Sequence, residues 1–82
     1  MRITLYRRSQ CSLCDLAEAM LVEAGIDFDA VWLEDDAAAE QHYGWRIPVL
    51  RRDDSGAELD WPFDSVKLRQ YVFGGSVLGF RF

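Results

Sequence analysis

The chain has 82 residues, half of them apolar, a formal net charge of −5 and two cysteines. That length suits one small domain spanning 1–82, with a core over about 2–73 and a tail at 74–82. A chain of this size buries only about 60% of its unfolded surface, so each large apolar residue matters. The acidic balance leaves no basic stripe to neutralise phosphates, which excludes general nucleic-acid binding and anionic-membrane binding. No run approaches the ~20 apolar residues needed to span a bilayer. Met1-Arg2-Ile3-Thr4 enters a strand with no apolar leader, so a cytosolic location is expected, where thiols stay reduced unless they turn over.

The first strand is predicted from about Arg2 to Tyr6. A helix over Leu13 to Ala24 follows, with Leu13, Leu16, Ala17, Met20, Leu21 and Ala24 spaced as one buried stripe. Gly25 fits the left-handed position that ends helices. Ile26 to Leu33 reads as a second strand, because Phe28, Ala30 and Trp32 alternate with Asp27, Asp29 and Val31. Glu34-Asp35-Asp36 then precede an Ala-rich helix running to Tyr43 and stopped at Gly44. Ile47 to Leu50 is predicted as a third strand with Pro48 at its entry. Asp53-Asp54-Ser55-Gly56 signals a hairpin turn into a fourth strand, Ala57 to Asp60. Asp64 is placed to cap a last helix carrying Val66, Leu68, Tyr71 and Val72, with Phe63 and Leu68 as its hydrophobic staple and Gly74-Gly75 as its end. The apolar tail, Ser76 to Phe82, has no clear assignment. The order βαβαββα implies an α/β fold: one four-stranded mixed sheet covered by three helices, with a parallel first pair and an antiparallel last pair.

The chemical signal is Cys11-Ser12-Leu13-Cys14. A C-x-x-C at a strand–helix junction is the layout of a thiol–disulfide redox site. Exchange needs one thiolate to attack and a second thiol to resolve the mixed disulfide. Cys11 is the expected attacker, since unpaired N–H groups at a helix N-terminus favour negative charge. Arg8 is expected to help electrostatically if the loop folds it back, lowering the Cys11 pKa below the free value of about 8.5. Cys14, one turn further in, is the expected resolver. Other readings compete: an inert buried pair, or a zinc site, for which only His42 and the acids could complete four ligands. The surrounding residues have bland readings beside functional ones. His42 reads as a solvated helix residue, and Arg51 and Arg52 as solvent-facing residues beside a turn. Tyr43 and Trp45 either rim the site near Pro48 or pack under the loop. Trp61 either covers a binding groove or fills the core.

Element order and motif together resemble the glutaredoxin branch of the thioredoxin-like fold, from Ile3 to about Val72. The matching stretches are Arg8-Ser9-Gln10-Cys11-Ser12-Leu13-Cys14, Arg46-Ile47-Pro48-Val49-Leu50 and Asp64. The resemblance implies that Pro48 is cis and that the Ile47 backbone beside it pairs with an extended substrate. It also implies a redox-active dithiol with no bound cofactor, drawing electrons from glutathione or another reductant thiol. Two departures stand out. Ser12-Leu13 replaces the family's usual Pro-Tyr, and Asp60-Trp61 stand where glutaredoxins carry a Gly-Gly pair that lets backbone amides approach glutathione. The closer resemblance is therefore to the small bacterial glutaredoxin-like proteins, with Trp61 in the substrate region and glutathione binding weakened. Expected partners are a disulfide-containing protein or a small-thiol substrate, with the chain a monomer or weak dimer. A non-catalytic binding module on the same fold is the rival reading, and an iron–sulfur or metal carrier, known among relatives, is a further one.

Overall fold

Ile3, Leu5 and Arg7 share one face of the first strand, β1 (Ile3–Arg7), because side chains alternate along a strand. The computed structural model describes residues 2–74; the tail and the Gly75 half of the expected helix stop lie outside the described residues. The other elements are α1 (Ser12–Glu23), β2 (Phe28–Trp32), α2 (Ala37–Tyr43), β3 (Val49–Arg52), β4 (Glu58–Asp60) and α3 (Ser65–Arg69). A 3₁₀ turn, Leu33–Asp35, leads into α2, and a π-helical turn, Gln70–Gly74, extends α3.

The strands lie in the order β2-β1-β3-β4 in one sheet. β1 runs parallel to β2 and antiparallel to β3, and β3 runs antiparallel to β4. This is the expected mixed sheet. α1 and α3 cover one face, where Ile3, Leu5 and Leu50 meet Ala17, Leu21, Phe63, Leu68 and Val72. α2 covers the other, where Val49 and the half-buried Tyr6 and Val31 meet Leu33, Ala39 and Tyr43. Capping defines the helix starts: Asp36 accepts from the Ala39 N–H at 3.0 Å and Asp64 from the Lys67 N–H at 2.8 Å. Gly25 takes a φ of 72°, the left-handed conformation that glycine adopts without a Cβ clash. Phe63 and Leu68 are both buried on either side of the Asp64 cap, as a staple requires.

Three details differ from the sequence pattern. The buried stripe of α1 is Cys14, Ala17 and Leu21. Leu13 and Leu16 are instead 45% and 54% exposed. The apolar arc of this helix is wider than the sheet can cover, and its sheet-facing line passes through the cysteine. β3 starts at Val49, two residues later than expected, since Pro48 has no N–H to give the ladder. β2 is an edge strand in which Ala30 and Trp32 are exposed, so its alternation does not mark a buried face.

A network on the α2 face ties three elements together. Tyr43 stacks on Tyr6 with centroids 4.0 Å apart and donates its hydroxyl to Glu58 at 2.8 Å. Arg46 donates to Glu58 at 2.6 Å and to Asp60 at 2.7 Å. Arg46, and then Tyr43, hold the Glu58 carboxyl below its usual range, while burial, and then Glu58, push the Tyr43 phenol upward. A carboxylate with a lowered pKa adds stability above its unfolded pKa of about 4.5, and that stability is lost as pH falls through the folded value. Thermal melts of Glu58→Gln should therefore vary less as pH falls below about 4.5 than those of the wild type; parallel acid limbs would contradict this. Leu21→Ala should cost about 2–5 kcal/mol in denaturant titration, whereas Leu16→Ala should stay within about 0.5 kcal/mol. Equal losses would restore the wider buried stripe.

Candidate functional site

The chain leaves β1 at Arg7 and reaches Cys11 through a short loop, Arg8 to Gln10. Two acids from the β2–α2 segment hold that loop. Glu34 accepts the Ser9 backbone N–H at 3.0 Å and also the Ser9 hydroxyl. The Ser9 hydroxyl is the main cause of the lowered Glu34 pKa, which keeps this clamp ionised. Glu40 pairs with Arg8 at 2.5 Å. Gly44 makes room for that pair, because a Cβ there would stand 2.5 Å from the Glu40 carboxylate and 2.6 Å from the Glu40 carbonyl. Gln10 sits at φ 55°, a left-handed conformation uncommon for a residue with a side chain. The loop thus delivers the next residue with little freedom.

That residue, Cys11, is the N-cap of α1 in an extended conformation. Its Sγ accepts the Cys14 backbone N–H at 3.2 Å, the place a serine or aspartate oxygen takes at an ordinary N-cap. Cys11 is half-buried and Cys14 is fully buried. Their Cα atoms are 5.2 Å apart and the two sulfurs are joined as a disulfide. In the dithiol form the same N–H would face a Cys11 sulfur anion, and hydrogen bonds to the charged form favour it.

The second wall comes from β3. The register pairs Tyr6 with Val49. One step beyond that pair, Pro48 lies opposite Arg7, at the end of the sheet where the Cys11 loop begins. The Ile47–Pro48 bond is cis, as the resemblance implied. Pro48 is fully buried and Ile47 half-buried. Tyr43 and Trp45 separate: Tyr43 packs under the loop, while Trp45 is 99% exposed, three residues before the proline.

Arg8 does not turn to the sulfurs; its guanidinium lies on Glu40. The cation built into this end of the sheet is Arg7, only 4% exposed. It donates to Asp15 at 2.7 Å, to Glu18 at 2.5 Å and to the Arg8 carbonyl at 3.1 Å, and lies 4.4 Å from the centre of the Trp32 ring. The sequence signal that could have found it is the alternation Ile3, Leu5, Arg7, which carries the arginine onto the face covered by α1 and α3. Trp61 is half-buried, edge-on to Phe63 at 4.9 Å and packed against the α1–α3 core, so core filling accounts for its contacts. It precedes a second cis bond, Trp61–Pro62. His42 is exposed and edge-on to Tyr43. Arg52 is more engaged than a solvent-facing residue, binding Asp54 at 2.9 Å and the Tyr71 carbonyl at 2.8 Å. Among the described residues no cluster of three or more His, Cys, Asp or Glu side chains could hold a metal ion. Nor is any described helix long and apolar enough to cross a membrane.

Comparison with known proteins meets this geometry from another side. A family model described as "Glutaredoxin-like domain (DUF836)" matches residues 2–73. The chain is similar to the X-ray structure of Northeast Structural Genomics target protein XcR50 from X. campestris. Identity is 49%, covering 85% of this chain and 93% of that one, with a TM-score of 0.78. It is also similar in fold to a glutaredoxin from Archaeoglobus fulgidus, at 19% identity and a TM-score of 0.68 over 88% of this chain and 86% of that one. Thioredoxin 1 from Thermosipho africanus shares the fold at 13% identity and a TM-score of 0.67, over 96% and 98% of the two chains. No curated protein matches. A C-x-x-C at the first strand–helix junction, a four-stranded mixed sheet with three helices, and a family match over nearly the whole chain agree: the protein has the thioredoxin-like fold and belongs to the glutaredoxin-like domain (DUF836) family.

Proposed function

We propose that the protein is a thiol–disulfide oxidoreductase in which Cys11 attacks and Cys14 resolves. The observation that carries this reading is the Cys14 N–H directed at the Cys11 sulfur at the start of α1, with the second sulfur within bonding reach. The Cys11 thiolate attacks one sulfur of a substrate disulfide, forming a mixed disulfide and releasing the other sulfur as a thiolate. Cys14 then loses its proton and attacks the Cys11 sulfur, and the second substrate sulfur leaves as a thiolate that is protonated. The substrate gains two electrons and the protein is left with the Cys11–Cys14 disulfide. A reductant thiol restores the dithiol by the same exchange in reverse order. The chemistry needs no bound cofactor.

The burial difference supports the division of roles, since a half-buried cysteine is better placed to meet an incoming disulfide than a fully buried one. Ile47, ahead of the buried Pro48, offers its backbone as the pairing edge for an extended substrate. Arg8 serves by holding the loop through Glu40 rather than by touching sulfur. Trp61 stands where glutaredoxins resembling this chain carry the Gly-Gly pair, so a disulfide-containing protein suits the site better than glutathione. Glutathione or another small thiol acts as electron donor rather than as a tightly bound ligand, and the reducing cytosol is the fitting compartment.

A redox titration with partner trapping tests the reading. Cys14→Ser should accumulate mixed disulfides through Cys11, and Cys11→Ser should trap none. Equal trapping would contradict the assigned roles. A Cys11 that titrates near the free-thiol value of about 8.5, with no reductase turnover, would point instead to a non-catalytic binding module.

A further inference from the structure

Arg7 stands outside the exchange chemistry, yet its contacts bracket the reactive cysteine. Its Nε and Nη2 both donate to the Arg8 carbonyl, at 3.3 and 3.1 Å, on the loop before Cys11. Its Nη2 also donates to Asp15 at 2.7 Å, in the first turn after Cys11, and its Nη1 to Glu18 at 2.5 Å, one turn on. Asp15 and Glu18 lie three residues apart, so they share one helix face and meet one guanidinium together. The plane of that guanidinium is held against Trp32 of the edge strand. A single rigid fork therefore fastens the chain on both sides of the N-cap. A lysine has the charge but not the fork, and could not hold three acceptors in fixed directions.

The consequence concerns the sulfurs. The stability of a Cys-x-x-Cys disulfide against an outside dithiol measures the effective concentration of each sulfur at the other. Effective concentration rises when the connecting chain is pre-organised. Seating Cys11 at the start of α1 also keeps its sulfur on the Cys14 N–H. We infer that Arg7 is a positioning residue that sets the dithiol–disulfide equilibrium of Cys11 and Cys14, by clamping the Arg8 carbonyl to Asp15 and Glu18. This rests on the redox reading of the pair given above and adds a determinant of its poise. The effect is one of position, not of charge: Arg7 is contacted by two carboxylates, which together outweigh its single positive charge at close range.

Charge-conserving variants separate the two. Arg7→Lys keeps the cation and removes the fork; Asp15→Glu keeps the anion and changes its reach. Asp15 is 69% exposed, so its variant keeps the fold even if Arg7→Lys does not. Each protein is equilibrated in graded buffers of reduced and oxidised dithiothreitol, and the disulfide fraction is read by alkylation and mass. Pre-organisation predicts that Arg7→Lys lowers the oxidation constant about tenfold, about 30 mV, and Asp15→Glu about threefold. Alkylation against pH should show the Cys11 thiolate fraction falling in the same order, a change that by itself favours the disulfide, so a lowered oxidation constant reads the loss of pre-organisation. Variants that melt earlier but match the wild type in both measurements would overturn the inference and leave Arg7 a purely structural residue. A wild type that never exchanges with the buffer would sink the redox reading itself, and this inference with it.

Discussion

The site depends on one backbone amide. The Cys14 N–H is one of the first amides of α1, which have no carbonyl partner within the helix. Here it is satisfied by a sulfur in the N-cap position rather than by an oxygen. That single hydrogen bond does two jobs. It starts the helix, and in the dithiol form it would turn the orphan donor toward negative charge on Cys11. The two cannot be separated, because a helix beginning one residue earlier or later would aim the amide elsewhere. Three features fix the start at Cys11. Gln10 adopts a left-handed backbone, Glu34 clamps Ser9, and Arg7 fastens the loop to the first turns of α1.

The opposite wall depends on register rather than on a local motif. Tyr6 pairs with Val49, and this pairing decides that Pro48 sits beside the end of β1. Slipping the pair by one residue would exchange the faces of β3, sending Leu50 to the α2 side and Val49 to the α1–α3 side. Both side chains are fully buried in separate cores, so either slip strands large apolar groups against the wrong partners. The position of the Ile47–Pro48 backbone is thus secured by hydrophobic packing on both faces of one short strand. The Tyr43–Glu58–Arg46 network braces the same strand entry from the α2 side.

How much of this was legible in the chain depends on the range of the interaction concerned. Short-range signals read directly. The Asp64 cap, the acidic run before α2, the Gly25 stop and the C-x-x-C at a strand–helix junction each need only a few neighbouring residues, and each stands where the pattern put it. Helix coverage was less legible, because Leu13 and Leu16 fall within the apolar arc of α1 but beyond the edge of the sheet it covers. The arginines were least legible. Arg7 and Arg8 are adjacent and chemically identical, and only the phase of β1 decides which one turns inward. Arg8 then finds Glu40, 32 residues away, a partner that no local pattern names. Tyr43 and Trp45 show the same limit: two aromatic residues two positions apart at the end of α2, one buried and the other wholly exposed.

The distribution of charge bears on how a Cys11 thiolate, as proposed, would be stabilised in so acidic a protein. The three arginines at this end of the sheet are all engaged at contact distance: Arg7 with Asp15 and Glu18, Arg8 with Glu40, and Arg46 with Glu58 and Asp60. Arg8 and Glu40 form a one-to-one pair, whose dipole field falls off faster than that of a charge, whereas Arg7 and Arg46 each meet two carboxylates and so belong to groups that are negative overall. Side-chain cations therefore add little at the Cys11 sulfur, and backbone amides at the start of α1 are left as the main local source of positive potential. Such amides are fixed, close and only weakly screened by salt, unlike exposed ion pairs. Arginine serves here as framework, bolting loop, helix and strand into the arrangement that lets an amide do the electrostatic work. On the proposed redox reading, this is how a chain of net charge −5 would hold a Cys11 thiolate while Arg7, Arg8 and Arg46, among the described residues, are all paired with acids.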